Sequence, residues 1–230
     1  PLWSLASINE ALFDNVPISF SMSDKLAEIQ AQLLGMRPML AKPVPSAIEA
    51  TLRGYQVEGV AWLERLRNMH LSGILADDMG LGKTLQAISA ITQHKHEFPE
   101  SISLVVCPTS LVHNWKEEFS KFNPTLRVLP VDGTPIQRKR LQENIRDYDV
   151  VITSYSLLQK DIEFYKTIDF CYAVLDEAQH IKNRGTRNAR SAKMVRARHR
   201  LILTGTPIEN SLEELWSLFD FLLPGLLSSY

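Results

Sequence analysis

The stretch "ILADDMGLGKTLQ", residues 74–86, runs from an apolar segment into what reads as the start of a helix, with two glycines, a lysine and a threonine between. A strand, a loop whose backbone N–H groups face inward and a helix N-terminus together make a cradle for phosphate. In such a loop Gly80 and Gly82 supply turns that a side chain would crowd. Lys83 reaches the β and γ oxygens of a nucleotide, and the Thr84 hydroxyl ligands Mg²⁺. The pattern G-x-x-x-x-G-K-[ST] places glycine where this chain has Asp77, so the match departs at one position. Read alone, the stretch also fits a glycine-rich turn capping an ordinary helix.

A second segment, "CYAVLDEAQHIKN" (residues 171–183), bears on that choice. Apolar residues lead into Asp176 and Glu177 as a buried parallel strand would, leaving two carboxylates at its C-terminal end, where open α/β sheets bind ligands. Asp176 is placed to hold Mg²⁺, usually through water. Glu177 is placed to orient and deprotonate an attacking water. Acids also collect at solvated helix N-termini, but a Gly-Lys-Thr upstream in the same chain makes hydrolysis of a nucleoside triphosphate the leading reading.

Composition agrees with this class without specifying it. The sequence has 230 residues, 45% hydrophobic and 22% charged, enough to bury one large core. Its net charge of −1 means that any nucleic-acid surface is a local patch and not a global field. Cys107 and Cys171 both lie in strand-like apolar runs without a C-x-x-C or a histidine pair, which suggests core packing in a reducing compartment. No apolar run approaches the ~20 residues of a membrane helix, and no signal-peptide pattern opens the chain. The expected location is cytosolic: the nucleoid region in a bacterium, the nucleus in a eukaryote.

Six segments read as strands: "SGILAD" from Ser72, "ISLVVC" from Ile102, "LRVLPV" from Leu126, "YDVVIT" from Tyr148, "CYAVLD" from Cys171 and "HRLILT" from His199. Helical patterns alternate with them, with Pro108-Thr109 and Asn210-Ser211 as starts. This alternation predicts an α/β fold with a mostly parallel sheet and helices on both faces. Residues 1–50 differ, carrying a helix-like piece from Ser23 and the proline-punctuated "RPMLAKPVPS". They read as an N-terminal arm or linker, the remnant of a preceding region.

From Leu52 onward the chain resembles the SWI2/SNF2 group of superfamily 2 DNA translocases. "LRGYQVEGVAWL" resembles the family's Q-type motif, "ILADDMGLGKT" its motif I, "LVVCPTSLVHNWKEEF" its motif Ia, "DVVITSYSLL" its motif Ib, "LDEAQHIKN" its motif II and "LTGTPIENSLEELWSL" its motif III, all in the family's order. The resemblance implies a RecA-like P-loop lobe over residues 51–230, with ATP and Mg²⁺ as cofactors and double-stranded DNA as partner. It makes Asp77 ordinary, since members read D-E-M-G-L-G-K-T; Asp78 replaces the usual Glu. The nucleotide loop would then comprise Asp77, Asp78, Met79, Gly80, Leu81, Gly82, Lys83 and Thr84. Gln179 stands where many members have His.

The same resemblance implies further roles. The Gln56 amide would pair with the adenine edge, and Arg53 would lie beside the base. Thr204, Gly205 and Thr206, with Gln179, would couple the γ-phosphate state to the rest of the lobe. The run "KNRGTRNARSAKMVRARHR" gathers Lys182, Arg184, Arg187, Arg190, Lys193, Arg196, Arg198 and Arg200 without an acid, and reads either as a phosphate-neutralising patch or as a solvated helix face. Thr109, Asn114 and Lys116, together with Thr153, Tyr155 and Lys182, are the expected DNA contacts, while "QRKR" from Gln137 reads as helix surface.

Family members complete the site with a second RecA-like lobe bearing arginines that stabilise the transferring phosphate, and no further α/β repeat follows "FDFLLPGLLSSY". The chain is therefore expected to be the first lobe of a longer translocase that remodels protein–DNA complexes, weakly active or inactive alone. The alternatives are a strand-separating helicase of the same superfamily and a nucleotide- and DNA-binding module without turnover. GTPase, ABC and kinase readings fail for want of N-K-x-D, L-S-G-G-Q, and H-R-D with D-F-G.

Overall fold

The computed structural model describes residues 43–78, 80–205 and 212–225. The helix expected from Ser23, the start at Asn210-Ser211, Met79 and Thr206 lie outside those residues. All six expected strands form: β1 (Gly73–Leu75), β2 (Ser103–Cys107), β3 (Val128–Pro130), β4 (Val150–Ser154), β5 (Asp169–Asp176) and β6 (Arg196–Leu203). They pair in parallel in the order β1-β6-β5-β2-β4-β3. Strand β6 begins before the apolar "HRLILT", because Arg196 and Ala197 pair with Asp169 and Phe170 of β5. Backbone pairing extends a strand without leaving an apolar signature in the sequence.

Between the strands run α1 (Gly54–Asn68), α2 (Lys83–Glu97), α3 (Val112–Phe122), α4 (Pro135–Glu143), α5 (Tyr155–Lys160), α6 (Ile162–Tyr165), α7 (Arg187–Met194) and α8 (Leu212–Leu222). The expected start at Pro108-Thr109 is a 3₁₀ turn, Thr109–Leu111, that feeds α3. Strands β2 and β4 are buried at every position, which their near-continuous apolar runs anticipate for a sheet covered on both faces.

Successive side chains alternate between those faces. On β2, Leu104 and Val106 join one core with Tyr155, Leu158, Ala189 and Phe221, whereas Val105 and Cys107 join the other with Leu63, Ile88, Trp115 and Phe119. Both cysteines are free and buried, and burial pushes the Cys107 thiol up to about 12. The "QRKR" helix α4 is capped by Thr134, whose hydroxyl accepts from the Gln137 N–H while the Gln137 side chain accepts from the Thr134 N–H. Arg138 is the exception on that surface helix. It is buried and forms a two-point pair with Asp161.

Candidate active site

Strand β1 ends at Leu75, and the chain then curls back on itself before α2. Gly80 (φ 83°) and Gly82 (φ 80°) both take left-handed backbone that a side chain would strain, so the two glycines shape this turn. The Lys83 ammonium donates to the carbonyls of Asp77 (2.6 Å) and Asp78 (2.9 Å), which draws the lysine across the mouth of the loop. Asp77, the position that departs from the common glycine pattern, turns its carboxylate to α2, where Gln86 Nε2 donates to it at 3.2 Å. Asp78 is exposed, and Leu81 and Thr84 are half-buried.

Gln56 braces this loop from α1. Its Oε1 accepts from the Arg53 N–H (2.9 Å) and its Nε2 donates to the Leu81 carbonyl (3.2 Å), a pattern that fixes which end of the amide is which. The family resemblance implies the adenine edge as the partner of this amide. In the structure the group is buried, and one N–H and one lone pair remain beyond its two internal bonds. Arg53 is exposed beside it.

The acid pair stands at the end of β5. Asp176 Oδ1 accepts from the Glu177 N–H (3.0 Å), and Oδ2 accepts from the Trp115 indole (2.8 Å). Burial pushes the Asp176 carboxyl above its usual range; the indole hydrogen bond opposes this, the Glu177 charge adds to it and the Lys83 charge acts against it. Lys83 and Asp176, far apart in the sequence, follow and end strands β1 and β5, which lie on either side of β6. Glu177 is held at φ 51°, ψ 58°, a left-handed conformation that costs a non-glycine residue about 1–3 kcal/mol. Such strain turns the chain sharply at the sheet edge and leaves the Glu177 side chain half-buried.

Strand β6 lies between β1 and β5, so its C-terminal end is flanked by the loop and the acids. Thr204, which follows it, is buried and donates its N–H to the Leu75 carbonyl at 3.2 Å. Gly205 is half-buried and Gln179 exposed. Among the described residues no group of three or more His, Cys, Asp or Glu side chains is arranged to cage a metal. One hydroxyl and one carboxylate, Thr84 and Asp176, are oxygen donors that suit Mg²⁺, which takes few protein ligands when it also binds phosphate.

Three expected DNA contacts are corrected by their surroundings. Thr153 is fully buried on β4, and its hydroxyl donates to the Val131 carbonyl at 3.2 Å. Tyr155 is buried, its hydroxyl donates to the Asp176 carbonyl (2.8 Å) and its ring stacks on His180. Lys182 is buried and paired with Glu214. Thr109, Asn114 and Lys116 are exposed.

The basic run divides in the same way. Arg200 is buried, donates to the carbonyls of Phe221 and Val195, and has its pKa pulled down to about 10 by burial. Lys193 pairs with Asp220, and Arg184 lies over the Trp216 ring at 4.5 Å. Arg187, Arg190, Arg196 and Arg198 are exposed. Trp115 escaped the sequence reading altogether. With Val112 and Phe119 it makes the buried face of α3, and the signal available was that a buried indole needs a partner for its N–H.

The family model described as the SNF2-related domain matches residues 55–230. The chain belongs to that family. It is 45% identical over 208 residues to the TATA-binding protein-associated factor MOT1 of Saccharomyces cerevisiae, a match covering 84% of this chain and 11% of that protein. It is 41% identical over 198 residues to the chromatin-remodeling ATPase INO80 of Drosophila melanogaster, covering 82% of this chain and 12% of that protein. The solved Sulfolobus solfataricus SWI2/SNF2 ATPase core in complex with dsDNA matches with a TM-score of 0.76 and 42% identity, over 84% of this chain and 40% of that one. The expected RecA-like α/β fold is thus borne out. The SNF2 chain spans about a ninth of the length of the MOT1 protein it matches.

Proposed function

We propose that this chain is the ATP-binding and ATP-hydrolysing lobe of a double-stranded DNA translocase that remodels protein–DNA complexes in a DNA-holding compartment, nucleus or nucleoid. The observation that carries the reading is that the loop after β1, with Lys83, and the acids Asp176 and Glu177 at the end of β5 flank β6 at the C-terminal edge of one parallel sheet. The loop of residues 77–84 receives the triphosphate on its backbone N–H groups and the N-terminus of α2, and Lys83 leaves the carbonyls of Asp77 and Asp78 for the β and γ oxygens. Thr84 and Asp176 would hold Mg²⁺, which would supply Lewis-acid stabilisation of the charge on the phosphate oxygens. Glu177 takes a proton from the attacking water as its oxygen bonds to the γ-phosphorus and the bridging bond to ADP breaks.

Thr204, Gly205, Thr206 and Gln179 relay the loss of γ-phosphate, an assignment supported by the hydrogen bond between Thr204 and the end of β1. Thr109, Asn114 and Lys116, with the exposed arginines of α7 and β6, take backbone phosphates of DNA. A second RecA-like lobe completes the site from across the cleft, and the likeness to a longer solved core supports this. The test is the ATPase rate with and without duplex DNA, for this fragment, for a version extended through the next lobe and for Glu177→Gln. DNA-stimulated turnover in the extended protein, lost in the variant, is expected; no turnover with duplex DNA would overturn the reading.

A further inference from the structure

Asp176 is gripped from both faces of the sheet. Trp115, on α3, belongs to one hydrophobic core and donates its indole N–H to Oδ2 at 2.8 Å. Tyr155, at the start of α5, belongs to the opposite core and donates its hydroxyl to the Asp176 carbonyl at 2.8 Å. Both rings are almost fully buried, at 1% and 3% exposure. Filling those two cores requires only bulk, which phenylalanine supplies. That each ring also carries a donor, and that both donors end on the same residue from elements on opposite sides of β5, is beyond what packing asks.

The consequence for the carboxylate is geometric. Each of its oxygens has about two lone-pair positions. Glu177 N–H occupies one on Oδ1 and the indole one on Oδ2, so the plane of the group is fixed and one position on each oxygen stays available. A carboxylate bonded only at Oδ1 could swing about its Cβ–Cγ bond. Holding the Asp176 carbonyl also fixes the main chain just before the strained Glu177, so the two acids keep a constant relation to each other.

We propose that Trp115 and Tyr155 are positioning residues for hydrolysis: the indole sets the orientation of the Asp176 carboxylate and the phenol anchors the backbone that presents both acids. The inference rests on Asp176 being the acid that bears on the Mg²⁺ of bound ATP. Pre-set geometry of this kind acts on turnover more than on nucleotide capture, because misplacement of a reacting group by about 1 Å can cost ~100-fold in rate.

The test uses the full-length protein that contains this chain. Trp115→Phe and Tyr155→Phe are compared with wild type in kcat and KM for ATP and in melting midpoint. Placed on a Glu177→Gln background, they are also compared in equilibrium binding of a fluorescent ATP analogue with and without Mg²⁺. We expect kcat to fall about tenfold or more in Trp115→Phe and several-fold in Tyr155→Phe, with KM little changed. The tightening of nucleotide binding by Mg²⁺ should shrink in Trp115→Phe, while Mg²⁺-free binding stays at the wild-type value.

A purely structural role would lower the melting midpoint and leave both kcat and the Mg²⁺ effect intact at temperatures where the protein is folded, and that result in either variant overturns the two-sided grip. Should Trp115→Phe be unfolded at every assay temperature, Tyr155→Phe decides by the same comparison. Wild-type protein that binds ATP equally with and without Mg²⁺ would instead remove the functional reading of Asp176 on which the inference stands.

Discussion

The Gln56 amide nitrogen lies 3.2 Å from the Leu81 carbonyl across 25 residues of sequence, and a Cβ built on Gly82 would meet that same nitrogen at 2.4 Å. Helix α1 and the loop of residues 77–84 thereby meet through the end of the Gln56 side chain.

Gly82→Ala should therefore fail in two ways. The φ of 80° places alanine in left-handed backbone at a cost of about 1–2 kcal/mol, and the new methyl drives Gln56 off Leu81. Gly80→Ala shares the strain, but a Cβ there meets nothing within 4 Å. Thermal melting and ATP affinity measured side by side should show the larger loss at Gly82; equal losses would mean that the contact with Gln56 carries no weight.

Lys83→Ala and Glu177→Gln should separate binding from chemistry. The proposed role puts the lysine on the nucleotide phosphates alone, so its loss is expected to weaken ATP binding or abolish turnover in a protein extended through a second lobe while duplex DNA affinity stays within a few-fold. Glu177→Gln keeps the shape and keeps Asp176, so ATP still binds and hydrolysis falls steeply. Loss of ATP binding in Glu177→Gln would make that residue structural.

Lysines 116 and 182 should respond differently to alanine. Lys116 is exposed, and its removal is expected to weaken DNA binding uniformly across sequences and to reduce the salt slope by about one. Lys182 is buried and paired with the half-buried Glu214, so Lys182→Ala should lower the melting midpoint by removing that ion pair and the packing of the lysine stem. A Lys182→Ala protein of wild-type stability with weakened DNA binding would instead put Lys182 on the DNA-binding surface.

Acid should destabilise the fold through two buried histidines. Burial, and then the Arg67 charge, lowers His94 to about 4; burial, and then the neighbouring His94 and His70, lowers His199 to about 3. Unfolded histidine titrates near 6.5, so below that pH the unfolded chain takes up protons that the folded chain refuses. Stability is thus fully present above pH 6.5 and falls as the pH drops toward 4, by about 2 kcal/mol per histidine on reaching pH 5. His199→Phe should flatten the fall in melting midpoint between pH 7 and pH 5. An undiminished fall would assign the acid sensitivity to His94 instead, because a carboxylate such as Asp149, whose pKa is lowered in the fold (burial raises it, and the bonds from Arg127 and Lys95 outweigh that), loses its contribution only below about pH 5.

The sequence by itself determined the order of strands and helices, the loop of residues 77–84 and the acid pair at 176 and 177. Each depends on what neighbouring residues force locally: apolar runs that only a doubly covered sheet can bury, glycines where the backbone must turn left-handed, and carboxylates at the end of an apolar strand. Tertiary structure alone decided which polar side chains face inward. Thr153 and Tyr155 sit in a motif whose hydroxyls read as surface contacts, yet one bonds Val131 and the other Asp176. Arg200 and Lys182, in a run that reads as a phosphate-neutralising patch or a solvated helix face, are interior. Trp115, to which the sequence assigns no role, finds its acceptor 61 residues away. A buried donor must be paired, but sequence spacing says only that a partner is needed; which residue supplies it depends on how the strands are ordered in the sheet and which elements that order brings to one edge.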